Sequence, residues 1–248
     1  MLDMEGALNT VASYVEDATF GHLVTFTNVH LIVEARKDPK LLVMMQSSDL
    51  NCPDGRPISW VGNSRYPDQV GQVSGPDFMP EFLGRSVASG YRHFLYGGAS
   101  GVAQDAAKAI TQTYPGIIIA GTYTPPFRPL TPLEDDEVCQ LINDSGAQLV
   151  WVCLGCPKQE RWIFEHRKRL KASVLLAVGQ AIDILAGSKT RAPAIFRISG
   201  MEWVYRLMRE PRRLWRRYLV TNSLFLFWLI RDVIHPLPAT VVDADKVI

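Results

Sequence analysis

"QLVWVCLGCPKQERWIFEHRKRLKASVLLAVG", Gln148 to Gly179, decides how this chain folds. Its two ends, QLVWVCLG (148–155) and SVLLAVG (173–179), are continuous apolar runs of strand length. Continuous runs, unlike alternating ones, belong to strands covered on both faces. Between them KQERWIFEHRKRLK (158–171) opens after Pro157 and ends basic, as helices do. Working outward, HLVTFT (22–27), LLVMMQ (41–46), HFLYGG (93–98) and GIIIAG (116–121) read as further buried strands. Helical segments separate them. VAQDAAKAITQTY (102–114) places Val102, Ala106, Ile110 and Tyr114 on one side, and LEDDEVCQLINDSG (133–146) opens acidic and closes at a glycine. This alternation predicts an α/β fold, a mostly parallel, doubly wound sheet with helices on both faces. Ligands of such sheets bind beyond the carboxyl ends of the strands.

The 248 residues carry 26 Lys and Arg against 25 Asp and Glu, a net charge of +1. Near-neutrality argues against nucleic-acid binding by the whole surface but leaves room for a local anion site. Arg206, Arg209, Arg212, Arg213, Arg216 and Arg217 crowd into one such place. Cys52, Cys139, Cys153 and Cys156 match no secreted disulfide framework, and the opening MLDMEGALNTVASYVEDATFG lacks the basic and apolar regions of a signal peptide. A reducing cytoplasm is expected. Cys153 and Cys156 form a CxxC without the second ligand pair a zinc site needs, so Cys153 is expected in the core and Cys156 in a turn. The apolar run LVTNSLFLFWLI (219–230) is shorter than the roughly 20 residues a membrane span requires. It is long enough to lie on a membrane or to bury in a core. The chain beyond Pro236 reads as a flexible end.

Several residue groups follow the predicted strands. In YGGASG (96–101), Gly97 and Gly98 either cradle a phosphate at a helix N-terminus or make a tight strand-to-helix turn. The stretch is neither GxGxxG nor followed by GKS or GKT, so hydride transfer and ATP hydrolysis lose support. In NCPDGRPISWVG the group 53–56 is a β-turn, or else Asp54 is a general base kept ionised by Arg56, which then contacts an anionic substrate. TFTN (25–28) offers hydroxyls and the Asn28 amide to the same cleft. TYTPPFRPLT (122–131) makes Arg128 either an anion contact on a rigid wall or part of a stiff connection to the helix cap Thr131. GCPKQE (155–160) suits an anion or sugar site, and Asp183 in AIDIL suits a cap or a substrate contact equally. Asp135 and Asp136 are neighbours at a helix start, expected as dipole partners and not as a metal site.

Together the TN near residue 27, PDG at 53–55, YGG at 96–98, PPFRPLT at 125–131, GCPKQE at 155–160, VGQAIDILAGSKTRAPA at 178–194 and MEWVYRLMREPRRLWRRYL at 201–219 resemble the WecG/TagA/CpsF family of bacterial glycosyltransferases (glycosyltransferase family 26). PPFRPLT is most similar to its exopolysaccharide branch, of the xanthan-type GumM kind. The resemblance implies a Rossmann-like core, residues 1–195, and a basic helical C-terminal appendage, residues 196–248, that meets the membrane. It implies inverting, metal-independent transfer from a UDP-sugar to a polyprenyl-diphosphate-linked saccharide at the inner face of the cell membrane, without a cofactor. Carried over residue by residue, it makes Asp54 the base, places Gln159 near the donor, and places Arg206, Arg213 and Arg216 near a diphosphate. The family's companion threonine falls on Phe26 here, between Thr25 and Thr27, and Thr27 is the substitute. A homo-oligomer is compatible with all of this, and nucleic acid is not an expected partner.

On a helical wheel the six arginines fall within an arc of roughly 140°, and Pro211 divides the segment into two helices. Such a face suits a diphosphate, which arginine grips bidentately, an anionic lipid surface or a nucleic-acid backbone, or else is a solvated surface helix. Leu224, Phe225, Phe227, Trp228 and Leu229 resemble an interfacial anchor, or a dimer contact. The alternative function is a membrane-associated nucleotide-binding or scaffold protein without transfer activity.

Overall fold

The computed structural model describes residues 2–17 and 19–234. Helix α1 (Met4–Glu16) leads into β1 (His22–Thr27), α2 (Val29–Lys37), α3 (Pro39–Gln46), β2 (Leu50–Pro53), α4 (Arg56–Arg65) and α5 (Gly75–Ser89). Then come β3 (Arg92–Gly97), α6 (Val102–Thr113), β4 (Ile118–Tyr123), α7 (Pro132–Asp144), β5 (Leu149–Cys153), α8 (Lys158–His166) and β6 (Val174–Ala177). Helices α9 (Ala181–Leu185), α10 (Ala194–Ile198), α11 (Glu202–Arg209) and α12 (Pro211–Ile234) follow. The strands form one sheet in the order β2-β1-β6-β5-β3-β4, every neighbouring pair parallel. This is the Rossmann-like α/β class the sequence predicts. The expected flexible end beyond Pro236 lies outside the described residues.

One predicted strand is wrong. LLVMMQ (41–46) lies in α3. Asp38 caps that helix, its carboxylate accepting from the N–H groups of Lys40 and Leu41, and Pro39 occupies the first turn. These start signals outweigh a short apolar run that periodicity alone leaves ambiguous. The second strand is instead Leu50–Pro53, ending where the 53–56 turn begins. It is an edge strand, where proline is tolerated because no ladder donor is needed on the open side.

Two apolar layers sandwich the sheet. Leu8, Phe78, Ile110 and Ile182 from α1, α5, α6 and α9 pack on one face against Trp151. Val138, Ile142, Trp162 and Ile163 from α7 and α8 pack on the other. Cys153 is buried in the first layer, as expected. The Trp151 indole N–H donates to His93 Nδ1 at 3.1 Å, and His93 Nε2 meets Ser86 Oγ at 2.8 Å. Burial pushes His93 down to about 4, so this internal chain carries no charge. After β3 the chain turns to α6 on one face, and after the adjacent β5 to α8 on the other. Likewise β1 leads to α2, beside α3, which packs on α8, whereas its neighbour β6 leads to α9. Crevices therefore open at the carboxyl edge beside both pairs, the places where such sheets bind ligands.

The C-terminal helices return over this edge. Pro211 starts α12 and separates it from α11, as predicted. Helix α12 runs along α2, where Arg36 pairs with Asp232 and lies 5.2 Å from the Trp228 ring centroid. Among the described residues no helix is long and apolar enough to cross a membrane.

Candidate active site

The parallel register of β1 and β2 brings Thr27 beside Pro53 and ends both strands together. The next residue, Asp54, donates its backbone N–H to the Thr27 carbonyl at 2.9 Å. Gly55 follows with φ +98, a value that side-chain-bearing residues rarely adopt, and turns the chain into α4. On β1, Asn28 caps α2 through its side-chain oxygen, which accepts from the Leu31 N–H at 3.1 Å. Asp54 and Asn28 thus stand side by side at the mouth of the β1/β2 edge.

The C-terminal helices roof them to form a cavity of about 350 Å³, within the range of small-molecule sites, about 300–1,000 Å³. Asp54, Asn28, His30 and Arg56 line it from the core, and Glu202, Arg206, Arg217 and Tyr218 from α11 and α12. The roof is seated by Gly200, whose φ is +74. A side chain there would meet Trp60 at 3.0 Å and Arg56 at 3.3 Å. A chain of ion pairs fixes the join. Arg191 links Asp77 at 2.6 Å to Glu202 at 2.9 Å, and Glu202 accepts from Arg206 at 2.5 Å. With its oxygen turned toward Arg206, the Gln180 amide accepts from both terminal guanidinium nitrogens at 2.9 Å.

Asp54 is half-buried beneath this roof. Desolvation first, and the facing Glu202 second, push its carboxyl up to about 6, against the pull of Arg206, Arg191 and Asn28. His30 is pushed down to about 4 by burial and then by Arg217, leaving a neutral imidazole in the wall. Near neutral pH the site therefore offers an ionised carboxylate, held close to its titration point, beside several guanidinium groups.

The other predicted site residues fall elsewhere. Thr27 is buried with its hydroxyl 3.4 Å from that of Thr25, and it touches Asp54 through its carbonyl. Phe26 packs in the core against Phe78. Gly97 and Gly98 end β3, but a side chain on Gly97 would meet the Cys153 carbonyl at 2.3 Å, and the Gly98 N–H is spent on that same carbonyl. Close packing of β3 on β5 accounts for Gly97, and the turn into α6, with φ +80 and Val102 3.1 Å from an added carbon, accounts for Gly98. Arg128 makes a two-point bond to Glu134, at 2.7 and 2.6 Å, next to the Thr131–Glu134 capping box. It belongs to the cap of α7. Gln159 is buried at the carboxyl edge, accepting from the N–H groups of Gly155 and Gly179 and donating to Glu160 and the Ala177 carbonyl. Asp183 pairs with Lys189 at 2.7 Å and is approached by Cys153. None of these lines the cavity.

The six arginines do not share one face. Arg206 and Arg217 turn into the cavity, whereas Arg209, Arg212, Arg213 and Arg216 are exposed. Arg213 pairs with Glu210 and Arg216 lies over the Trp215 ring. The predicted anchor also divides, since Phe225 lines the cavity and Trp228 lies under Arg36, while Phe227 is exposed. Sequence reasoning missed Glu202, His30, Arg191 and Tyr218 as site residues. Only the acidic start of α11 hinted at the first. Among the described residues Asp135, Cys139 and His166 form the one group spaced for a metal ion. Both Asp135 oxygens are already bonded, to His166 at 3.0 Å and Arg169 at 2.5 Å, and His166 Nδ1 meets the Trp162 carbonyl at 2.7 Å.

An open parallel sheet carrying an acid at a strand end, beneath a roof that holds Arg206 and Arg217, defines an α/β protein with its cavity at the carboxyl edge. The chain belongs to the glycosyl transferase WecG/TagA/CpsF family, whose model matches residues 1–237. It is 29% identical over 221 residues, 87% of this chain and 83% of the relative, to an N-acetylglucosaminyldiphosphoundecaprenol N-acetyl-beta-D-mannosaminyltransferase of Bacillus spizizenii. A protein of the same name from Staphylococcus aureus is 26% identical over 216 residues, 87% of this chain and 82% of its own length.

Proposed function

We propose that this chain is an inverting glycosyltransferase that moves a sugar from a UDP-sugar to a polyprenyl-diphosphate-linked saccharide at a membrane surface. The observation that carries the reading is Asp54, a carboxylate at a strand end inside a cavity closed by the basic C-terminal helices. The relatives' names supply the first substrates to try, N-acetylmannosamine as the moving sugar and a diphosphoundecaprenol-linked N-acetylglucosamine as acceptor. Their β product follows by inversion from a donor whose leaving group is α. A role in exopolysaccharide synthesis remains part of the proposal, resting on PPFRPLT.

Asp54 accepts the proton of the acceptor hydroxyl as its oxygen attacks C1 from the face opposite the nucleotide. The C1–O bond to the acceptor forms, the C1–O bond to the diphosphate breaks, and UDP leaves with the electron pair. Arg206 faces Asp54 and stabilises the charge that develops on the leaving diphosphate. The C-terminal region 196–248 acts as an appendage. Its outward arginines, Arg212, Arg213 and Arg216, meet anionic headgroups, each worth about 1 kcal/mol near such a surface. Exposed Leu226, Phe227 and Ile230 enter the interface beside them.

The test is single-turnover transfer from UDP-N-acetylmannosamine to the lipid-linked acceptor, wild type against Asp54→Asn. A loss of about 100-fold or more is expected for removal of a general base. Unchanged turnover would remove Asp54 from the chemistry. Absence of turnover in the wild type with any UDP-sugar would favour a nucleotide-binding or scaffold protein.

A further inference from the structure

Helices α7 and α8 share one apolar layer of the sheet, and three metal-ligating side chains meet between them. Asp135 and Cys139 stand one turn apart on α7, so both lie on the same face, and His166 comes from the end of α8. One ligand atom from each lies within 4.8 Å of the other two. Cys139 and His166 are buried, and Asp135 is the member open to solvent. None of the three lines the cavity.

Protons and hydrogen bonds alone do not explain this triangle. A carbonyl only accepts, so the 2.7 Å contact of His166 Nδ1 with Trp162 is an N–H donated to that carbonyl. In the neutral ring Nε2 is then a bare lone pair, yet it faces an Asp135 oxygen at 3.0 Å. Two acceptors hold that distance only with a cation between them. A proton would serve the pair, but it gives the Cys139 sulfur no reason to converge on the same point. A divalent ion uses all three donors. Zinc bonds of about 2.0 Å to nitrogen and oxygen subtend roughly 100° across the 3.0 Å edge, near the tetrahedral angle. A tetrahedral sulfur–nitrogen edge is roughly 3.5 Å, so binding draws the sulfur inward by up to about an ångström.

The surroundings are those of a metal site. A histidine ligand ordinarily donates its other N–H to a carbonyl or carboxylate, and a ligating carboxylate is itself hydrogen-bonded. Trp162 supplies the first support, and Arg169, 2.5 Å from the far Asp135 oxygen, supplies the second. Trp162 also stacks on the imidazole, with ring centroids 4.2 Å apart, and fixes its plane. Carboxylate, thiolate and neutral imidazole together cancel a charge of +2, and Arg169 is matched by Asp136 at 2.7 Å.

We propose that Asp135, Cys139 and His166 bind a zinc ion that clips α7 to α8, with water as the fourth ligand. Mixed nitrogen, sulfur and oxygen donors select zinc over magnesium or calcium. Cys139 gives its thiol proton to solvent as the zinc–sulfur bond forms. The site lies apart from the cavity and does not depend on the transferase reading.

The experiment is titration of the untagged full chain with Co²⁺, a spectroscopic stand-in, followed by Zn²⁺. Cobalt should give visible ligand-field bands and a near-ultraviolet thiolate-to-metal band at about one ion per chain, and zinc should abolish both. Cys139→Ser should lose the thiolate band, and Asp135→Asn and His166→Gln should each weaken binding about tenfold or more. The Cys153→Ser, Cys156→Ser double variant should keep the whole spectrum. Zinc should also raise the melting temperature of the wild type and not that of His166→Gln, a comparison that holds even if the variant is less stable. A thiolate band that survives in Cys139→Ser, or one lost in the double variant, overturns the site. Absence of cobalt bands in the wild type overturns it too, and leaves a proton as the cation between His166 and Asp135.

Discussion

A carboxylate at the floor of a half-enclosed cavity, with Glu202 facing it, holds its proton more tightly than one in water. Asp54 titrates near 6 for that reason, from an ordinary 3.8. A base must be ionised to work, so kcat/KM should rise with pH through about 6 and level off above it. A profile flat from pH 5 to 7.5 would exclude Asp54 as the base. The stability consequence has the opposite sense. The folded value lies above the unfolded one, so the contribution of Asp54 is complete below about pH 4 and is lost as pH rises through about 6. Asp54→Asn should therefore raise the melting temperature at pH 8, by a stabilisation on the order of 1–3 kcal/mol, while removing transfer. Glu160 behaves alike over a higher window, from 4.5 to about 7. Glu160→Gln should stabilise at pH 8 and change little at pH 4, as thermal unfolding at the two values would show; equal shifts at both would mean that packing, not charge, is responsible. From local pattern Asp54 was open between a plain β-turn and a general base, and the family resemblance singled it out. Glu160 was not legible, because nothing local says that the first turn of α8 is buried.

Elements were legible wherever length and periodicity agreed, as for β5, α8 and β6 in the opening stretch. They failed at α3, where an apolar run concealed a capped helix, and at β2, too short and too rich in turn residues to announce a strand. Helix α12 depends on a few contacts with the core. Arg36 packs between Asp232 and Trp228, and both acid and base of this pair are largely shielded. Asp232→Ala leaves the guanidinium without its partner, a change that costs more than the pair itself contributes. Faster amide exchange across 211–234 is expected, with β5 and β6 unchanged. Exchange indistinguishable from the wild type would show that α12 is held by its apolar contacts alone. Gly200→Val should release α11 in the same assay, because φ +74 is strained for a β-branched residue and Trp60 is already 3.0 Å from the added carbon.

Across the whole molecule the charges are separated by direction. The carboxyl edge of the sheet holds Asp54 and the inward arginines, and the outer surface of α12 holds exposed arginines beside Leu219, Leu226, Phe227 and Ile230. Exposed aliphatic and aromatic side chains flanked by cations suit an anionic lipid surface. Flotation with vesicles containing anionic lipid should retain the wild type, lose the Phe227→Glu, Ile230→Glu double variant, and weaken as salt rises. Binding independent of both would remove the membrane from the proposal.

The sequence by itself determined the parallel α/β class, the alternation of strands and helices from β3 to β6, the family resemblance and Asp54 as a candidate acid. These depend on local periodicity, on turn chemistry and on motifs kept at fixed spacing. Only the tertiary structure decided which arginines face the cavity. A helical wheel places residues around their own axis and says nothing of how that helix is rolled against a neighbour. The roll of α11 and α12 is set by Gly200 on Trp60, by Arg191 between Asp77 and Glu202, and by Arg36 against α12. Those contacts join residues far apart in the chain, so they turn Arg206 and Arg217 inward and leave Arg213 and Arg216 outside.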